Sequence, residues 1–503
     1  MKIQIDRSDK TPLYKQIAGQ IQAQITSGEI PEGFQFPSER QLADALGVNR
    51  TTVLNAYKEL KADGLIASHV GSGTVAVRNQ NAEPVILSHR KDPMWEHLFS
   101  DHMKNQDSFD INKYLEVANQ RDVISFAAGI ASFELPPVQA FAGIEKELLG
   151  SGKGLLVSPV AGFSSLRRVM SSYMQKRSCF CQPSEIMITS GAQQGIDLIA
   201  RAFINPGDIV LIEEPSFFPA IRSFRSMGAK LMAVPMEEDG MDVDILEQLL
   251  TRYRPKLIYT MPAYHNPCGV TMSIPKRVRL LELAGRYGIP VLEDDPYSEL
   301  NYEGPPVTPL KSMDKSGYVI YLSTFSKTIY PGLRLGWICA DKKLISRLSG
   351  IRQLMDLHSG CISQQIAERF IVSGELKKYL ALIRSEYRER RDIMTDALSR
   401  YAPAGLTWNR PEGGYYLWCR LPEGLSSDIL VTRAAERGVA ILPGTPSYLT
   451  PYKGECYIRL NYTFPPRDRI AEGIRILCEV IEELASARPE YTLCPDSEIN
   501  PIL

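Results

Sequence analysis

The stretch YLSTFSKTIYPGLRLGW, residues 321–337, sets Lys327 among hydroxyls and puts Arg334 seven residues beyond it. A lysine at a strand end forms a Schiff base with an aldehyde once its surroundings help it shed a proton. One lysine alone is ordinarily a surface charge; what marks Lys327 is its company. Thr324 and Ser326 precede it and Arg334 follows, hydroxyl donors plus a planar fork that suit a phosphate dianion. TSGAQQG (189–195) follows an apolar run and opens a helix, so its backbone N–H groups offer a second phosphate site. In EDDPY, Asp294 stands where an acid at a strand's carboxyl end can keep a pyridine nitrogen protonated and the ring electron-withdrawing. Tyr297, three residues on, can donate to a phenolic ring oxygen. YHNPCG supplies Asn266 after the run LIYTMP, and EEPSFF supplies the aromatic Phe217 after DIVLI. Each alone reads as an ordinary turn or packing residue. Together they are strand-end residues that one ligand site could collect, at the carboxyl edge where open α/β sheets bind ligands.

Such a collection needs a sheet. From VISFAAG onward, short apolar β-type runs alternate with helical patterns, as in EIMITSGAQQGIDLIARAF, IPVLEDDPY and GYVIYLSTFSK. That alternation predicts an α/β domain with a mostly parallel sheet in three layers. After about residue 375 a long helical pattern precedes the strands GLTWNR, GGYYLWCRL and CYIRLNYT, which predicts a smaller α+β lobe.

The first 78 residues read differently. Leu13, Ile17, Ile21 and Ile25 recur every four residues, one apolar stripe of a helix closed by Gly28. Ser38 caps a short helix that ends at Gly47, and Asn49 opens another with Val53, Leu54, Tyr57 and Leu60 before Gly64. LIASHVGSGTVAV then reads as a hairpin around GSG. Three helices and a hairpin predict a winged helix-turn-helix.

At 503 residues the chain is too long for one ordinary core, so several domains are expected. A net charge of −1 gives no overall basic excess that would point to nucleic acid. Residues 1–78 themselves hold nine Lys+Arg against eight Asp+Glu, a net of +1 that predicts modest DNA affinity from charge alone, with His69 on the wing. The nine cysteines form no CxxC pair and the six histidines show no metal-ligand spacing, so no metal site is expected. No apolar run is long enough to span a membrane and the start lacks the core of a signal peptide, which fits a cytoplasmic protein.

The run SGAQQ, EEPSF, NPCG, EDDPY, STFSK, PGLRLGW and YIRL resembles the fold-type I, pyridoxal 5'-phosphate-dependent aminotransferases over residues 120 to about 485. By that resemblance Lys327 carries the cofactor, Asp294 pairs with its pyridine nitrogen, Asn266 and Tyr297 bond its phenolic oxygen, and Phe217 stacks on its ring. The backbone of Ala192 and Gln193, with Thr324, Ser326 and Arg334, holds the phosphate. Lys327, Asp294 and Tyr297 form the catalytic set, and Arg459, with Asn266 beside it, clamps a ligand carboxylate. The sequence departs from that pattern twice: Val157 in LLVSPVAGF stands where many relatives have a tyrosine that reaches the neighbouring subunit's phosphate, and Cys268 replaces the threonine of NPTG.

FPSERQLADALGVNRTTVLNAYKEL followed by GLI and GSGT resembles the GntR-type winged helix-turn-helix. The resemblance implies that Arg40, Arg50, Thr51 and Thr52 meet DNA and that the wing glycines Gly71 and Gly73 approach the minor groove. The two parts joined in one chain resemble the MocR subfamily of GntR regulators. That implies a bacterial regulator, nucleoid-associated when bound to its operator, a head-to-tail homodimer, which senses an amino acid or amine, or the cofactor itself, by aldimine chemistry. An active aminotransferase with an appended DNA-binding module is the alternative. The expected domains are 1–78 (DNA-binding), 79–119 (linker), 120–488 (large lobe about 150–375, small lobe about 376–488) and 489–503 (tail).

Overall fold

A computed structural model of the protein describes residues 1–6, 11–69, 73–77, 99, 122–131, 134–135, 137–150 and 157–487. The expected linker, apart from residue 99, the tail 489–503 and wing residue Gly71 lie outside the described residues. The chain divides into two compact units, residues 1–98 and 99–503.

The first unit holds helices α1 (Leu13–Thr26), α2 (Glu39–Leu46) and α3 (Arg50–Ala62). Strands β1 (Gln35–Phe36), β2 (Ile66–His69) and β3 (Gly73–Ala76) form a sheet in the order β1-β3-β2. Ile17 and Ile21 of the predicted stripe are fully buried against Val53, Ala56 and Leu60 in the unit's own core. Ser38 accepts from the Gln41 backbone N–H while the Gln41 side chain returns to Ser38, a reciprocal cap, and Gly47 ends α2 at φ 61°. Asn49 stands at the start of α3 without a side-chain capping bond.

Among the described residues, the first strand of the second unit is β4 (Ile124–Ser125), and the unit centres on eight strands in the order β5-β12-β11-β10-β9-β6-β7-β8. These are β5 (Ile186–Thr189), β6 (Ile209–Glu214), β7 (Lys230–Glu237), β8 (Gly240–Met241), β9 (Leu257–Thr260), β10 (Val291–Asp294), β11 (Val319–Thr324) and β12 (Gly336–Cys339). Only β12 and the short β8 run antiparallel to their neighbours. Strands β5, β9, β10 and β11 are buried throughout, as expected where helices cover both faces. Helices α4 (Ala192–Phe203) and α5 (Phe218–Ser226) leave the carboxyl ends of β5 and β6.

The long helix α6 (Glu375–Tyr401) leads to β13 (Thr407–Trp408), β14 (Tyr416–Arg420), β15 (Val439–Ala440), β16 (Leu442–Pro443) and β17 (Tyr457–Asn461). Four of these form a sheet in the order β13-β14-β17-β16, and β15 pairs in parallel with β4. Strand β4 therefore packs beside a strand that follows it by more than three hundred residues.

Candidate functional site

Five parallel strands end at one edge of the large sheet. In register, Asp294 closes β10 opposite Leu322, Thr324 closes β11 opposite Gly336, and Gly336 faces Thr189 at the end of β5. Thr260 and Glu214 close β9 and β6 beside them. The loops from these ends enclose a cavity of about 310 Å³ lined by Lys327, Asp294, Tyr297, Asn266, Phe217, Ala192, Gln193, Thr324, Ser326, Arg334 and Arg459. All eleven residues expected from the sequence to form the ligand site thus line one space.

Lys327 sits just past β11. Its Nζ donates to the carbonyl of Gly129 and lies 5.7 Å from the Tyr415 ring centre, while Tyr415 OH donates to the Lys327 carbonyl at 2.7 Å. Burial pushes the amine's pKa below the usual lysine range; Tyr416 and Asp294 oppose that, and the charges of Arg459 and Arg334 reinforce it. The shift lowers the cost of reaching the neutral, nucleophilic form.

Asp294 is 1% exposed; its Oδ2 accepts from Tyr259 OH at 2.8 Å and its Oδ1 has no partner. Burial pushes its pKa up to about 7, and the charge of Asp295 adds to the rise against the Tyr259 bond and Lys327. An unpartnered buried carboxylate oxygen at a cavity wall suits a cationic N–H. Tyr297 OH donates to Tyr416 OH at 3.2 Å. Asn266 Oδ1 accepts from Arg459 Nη1 at 3.0 Å, which leaves the Asn266 amide N–H groups for another acceptor.

Arg459, 4% exposed, also donates from Nη2 to the Ala127 carbonyl at 3.0 Å and lies 4.2 Å from the Tyr416 ring centre. Its Nε–H is buried without a partner. That guanidinium retains donors for a carboxylate.

Gly191 precedes α4 at φ 98°, a backbone region open to glycine, and an added Cβ would stand 2.8 Å from Arg334 Nη2. Arg334 adopts φ 47° and donates to Ser326 Oγ at 3.3 Å and to the Ser190 carbonyl at 3.1 Å. Thr324 Oγ1 donates to Ser326 Oγ at 3.0 Å. The start of α4, two hydroxyls and a guanidinium converge as a dianion cradle. Phe217 precedes α5 at the cavity wall. Val157 is 81% exposed, whereas Cys268 is buried and its carbonyl accepts from Asn409 Nδ2 at 2.5 Å.

In the first unit, Arg40, Arg50 and Gly73 line one groove with Ser38 and Thr74. Thr51 and Thr52 lie in the first turn of α3, and Gly73 has φ 83°. Arg50 pairs with Glu39 at 3.2 Å, but with its side chain 70% exposed the pair is weak and a phosphate can compete for it.

The sequence reasoning missed Tyr259, Tyr416 and the carbonyls of Ala127 and Gly129, all of which touch the expected residues. Tyr416 carried a signal in GGYYLW, but its place against Arg459 depends on the pairing of β14 with β17.

Sheet, cradle and lysine define a fold-type I aminotransferase domain carried behind a winged helix-turn-helix. Residues 121–477 match the family aminotransferase class I and II, and residues 13–75 match the bacterial regulatory proteins of the gntR family. The chain is 32% identical to the uncharacterized HTH-type transcriptional regulator YdfD of Bacillus subtilis over 95% of its own length and 98% of that protein's. It is 29% identical to the probable rhizopine catabolism regulatory protein MocR of Rhizobium meliloti, over 87% and 88%. The crystal structure of Pyrococcus horikoshii kynurenine aminotransferase superposes with TM-score 0.75 at 37% identity, over 79% of this chain and 99% of that one. The chain belongs to the MocR-type regulators, in which a GntR DNA-binding domain is fused to a class I and II aminotransferase domain. Among the described residues no helix is long and apolar enough to cross a membrane.

Proposed function

We propose that this regulator binds pyridoxal 5'-phosphate and senses an amine that bears a carboxylate. One observation carries the reading: a desolvated lysine, an unpartnered buried acid and a clamp arginine with a free buried donor face one cavity. Pyridoxal phosphate, when bound, supplies an aldehyde and an electron-withdrawing ring. The residues present fit it. Asp294 Oδ1 holds the ring nitrogen's proton, Asn266 and Tyr297 bond the phenolic oxygen, and Phe217 covers the ring face. The N–H groups of Ala192 and Gln193, with Thr324, Ser326 and Arg334, hold the phosphate. Lys327 offers its amine. Arg459, steadied by Asn266, takes the carboxylate of the amine ligand.

Arg40, Arg50, Thr51, Thr52 and the wing glycines Gly71 and Gly73 meet double-stranded DNA. Two chains act as a head-to-tail homodimer, which offsets the head's low charge by avidity. Ligand in the cavity changes how the two heads meet an operator. The site of action is the bacterial cytoplasm, at the nucleoid.

An absorbance spectrum with pyridoxal phosphate tests this. A visible band that borohydride removes, present in the wild type, absent in Lys327→Ala and shifted by a carboxylate-bearing amine, is the expected result. A wild-type spectrum equal to free cofactor would refute it. The complete set of groups also favours a second reading, a working aminotransferase; sustained turnover of an amino acid with a keto acid would establish it.

A further inference from the structure

The turn Asp294–Glu299 carries a second carboxylate that the proposed cofactor contacts leave unused. Asp295 is 2% exposed and adjoins Asp294, yet the two acids have opposite surroundings. Asp295 Oδ2 accepts from Arg177 Nη2 at 2.7 Å, Tyr321 OH at 2.8 Å and Ser298 Oγ at 2.6 Å. Its Oδ1 accepts from the Ser298 N–H at 3.0 Å, which closes the turn that holds Tyr297. Arg177 also reaches Tyr321 OH at 2.6 Å and Glu299 at 3.3 Å. Asp294 has only Tyr259 OH on one oxygen and Lys327 across the cavity. The other neighbour, Glu293, takes the N–H groups of Leu310 and Lys311 at 2.7 and 2.8 Å.

Two adjacent carboxylates with such different partners take different roles. We infer that Asp295 is a positioning residue for the cofactor site: held ionised by Arg177, it sets the field in which Asp294 grips the ring-nitrogen proton and braces the turn that presents Tyr297. The inference rests on the pyridoxal phosphate reading above. Burial alone would raise the Asp295 pKa, and Arg177, Ser298 and Tyr321 outweigh it and hold the group below the usual carboxylate range. Its negative charge in turn favours a proton shared between Asp294 and a pyridine nitrogen.

The test is the ¹⁵N resonance of ring-labelled pyridoxal phosphate bound to the full chain. Asp295→Asn keeps an oxygen for the Ser298 N–H and removes the charge, whereas Ser298→Ala keeps the charge. Asp295→Asn is expected to move the resonance toward the unprotonated value, a loss of about tenfold in proton affinity. Ser298→Ala is expected to leave it near wild type. An unmoved resonance in Asp295→Asn, or an equal move in both variants, overturns the inference. If Asp295→Asn does not fold with Arg177 unpaired, the double variant Arg177→Met, Asp295→Asn removes the whole pair. It is expected to show a smaller move in the same direction, because loss of the guanidinium offsets part of the lost negative charge, and an unmoved resonance in it also overturns the inference. Labelled cofactor that fails to bind wild type at all would sink the cofactor reading, and this inference with it.

Discussion

Asp294 makes the energetics of the site measurable. Its pKa is about 7 in the fold against an ordinary value near 4 in the unfolded chain, so the native state binds the extra proton between those values. A group raised in the fold contributes stability that is present at low pH and lost as pH rises through its folded pKa. Protein stripped of cofactor is therefore expected to lose on the order of 4 kcal/mol between pH 4 and pH 8 from this residue. Urea melts across that range check it: Asp294→Asn flattens the slope, while a slope equal to wild type contradicts the assignment. Glu293, also raised to about 7 by burial and by Asp295, retains its own share in the variant. Most of the expected lining residues, from Ala192 to Lys327, were legible in the sequence because they close or follow apolar strand runs, and a parallel sheet brings such ends to one edge; Arg459 lies instead within β17 of the smaller sheet. Tyr259 and Arg177 were not legible. Tyr259 acts on Asp294 through the pairing of β9 with β10, and Arg177 reaches Asp295 across 118 positions of chain, neither of which leaves a local pattern.

At the scale of elements, the short helix α2 depends on its ends. Eight residues nucleate poorly alone, so the reciprocal bonds of Ser38 with Gln41 and the left-handed Gly47 define it. Ser38→Ala is expected to cost about 1 kcal/mol, all of it in the DNA-binding unit. Chemical unfolding followed by the exchange of amides in α1–α3 reports that loss, with the cofactor band unchanged; a change in the band instead would mean that the cap serves the second unit. The helices of this unit were legible from four-residue apolar spacing and caps. Strand β1, two residues long, was not, because so short a pairing is dictated by its partner β3 rather than by its own sequence. The same holds for β4 and β15, which pair across more than three hundred residues.

For the whole molecule, the central fact is a fusion: one unit of a DNA-binding family and one of the class I and II aminotransferase family, whose cavity collects the residues expected to bind cofactor and carboxylate, each with its own core. The sensor reading proposed above joins the two halves if a ligand in the second changes what the first does at DNA. Differential affinity is the only means by which a ligand can do this. The direct measurement is the affinity of the full chain for a duplex that the wild type selects from a random pool. It is taken with pyridoxal phosphate alone and then with each of a panel of carboxylate-bearing amines. At least one amine is expected to change that affinity fivefold or more, a coupling of about 1 kcal/mol, in the wild type and not in Lys327→Ala. An affinity indifferent to every amine, or a change of equal size in Lys327→Ala, would contradict the account.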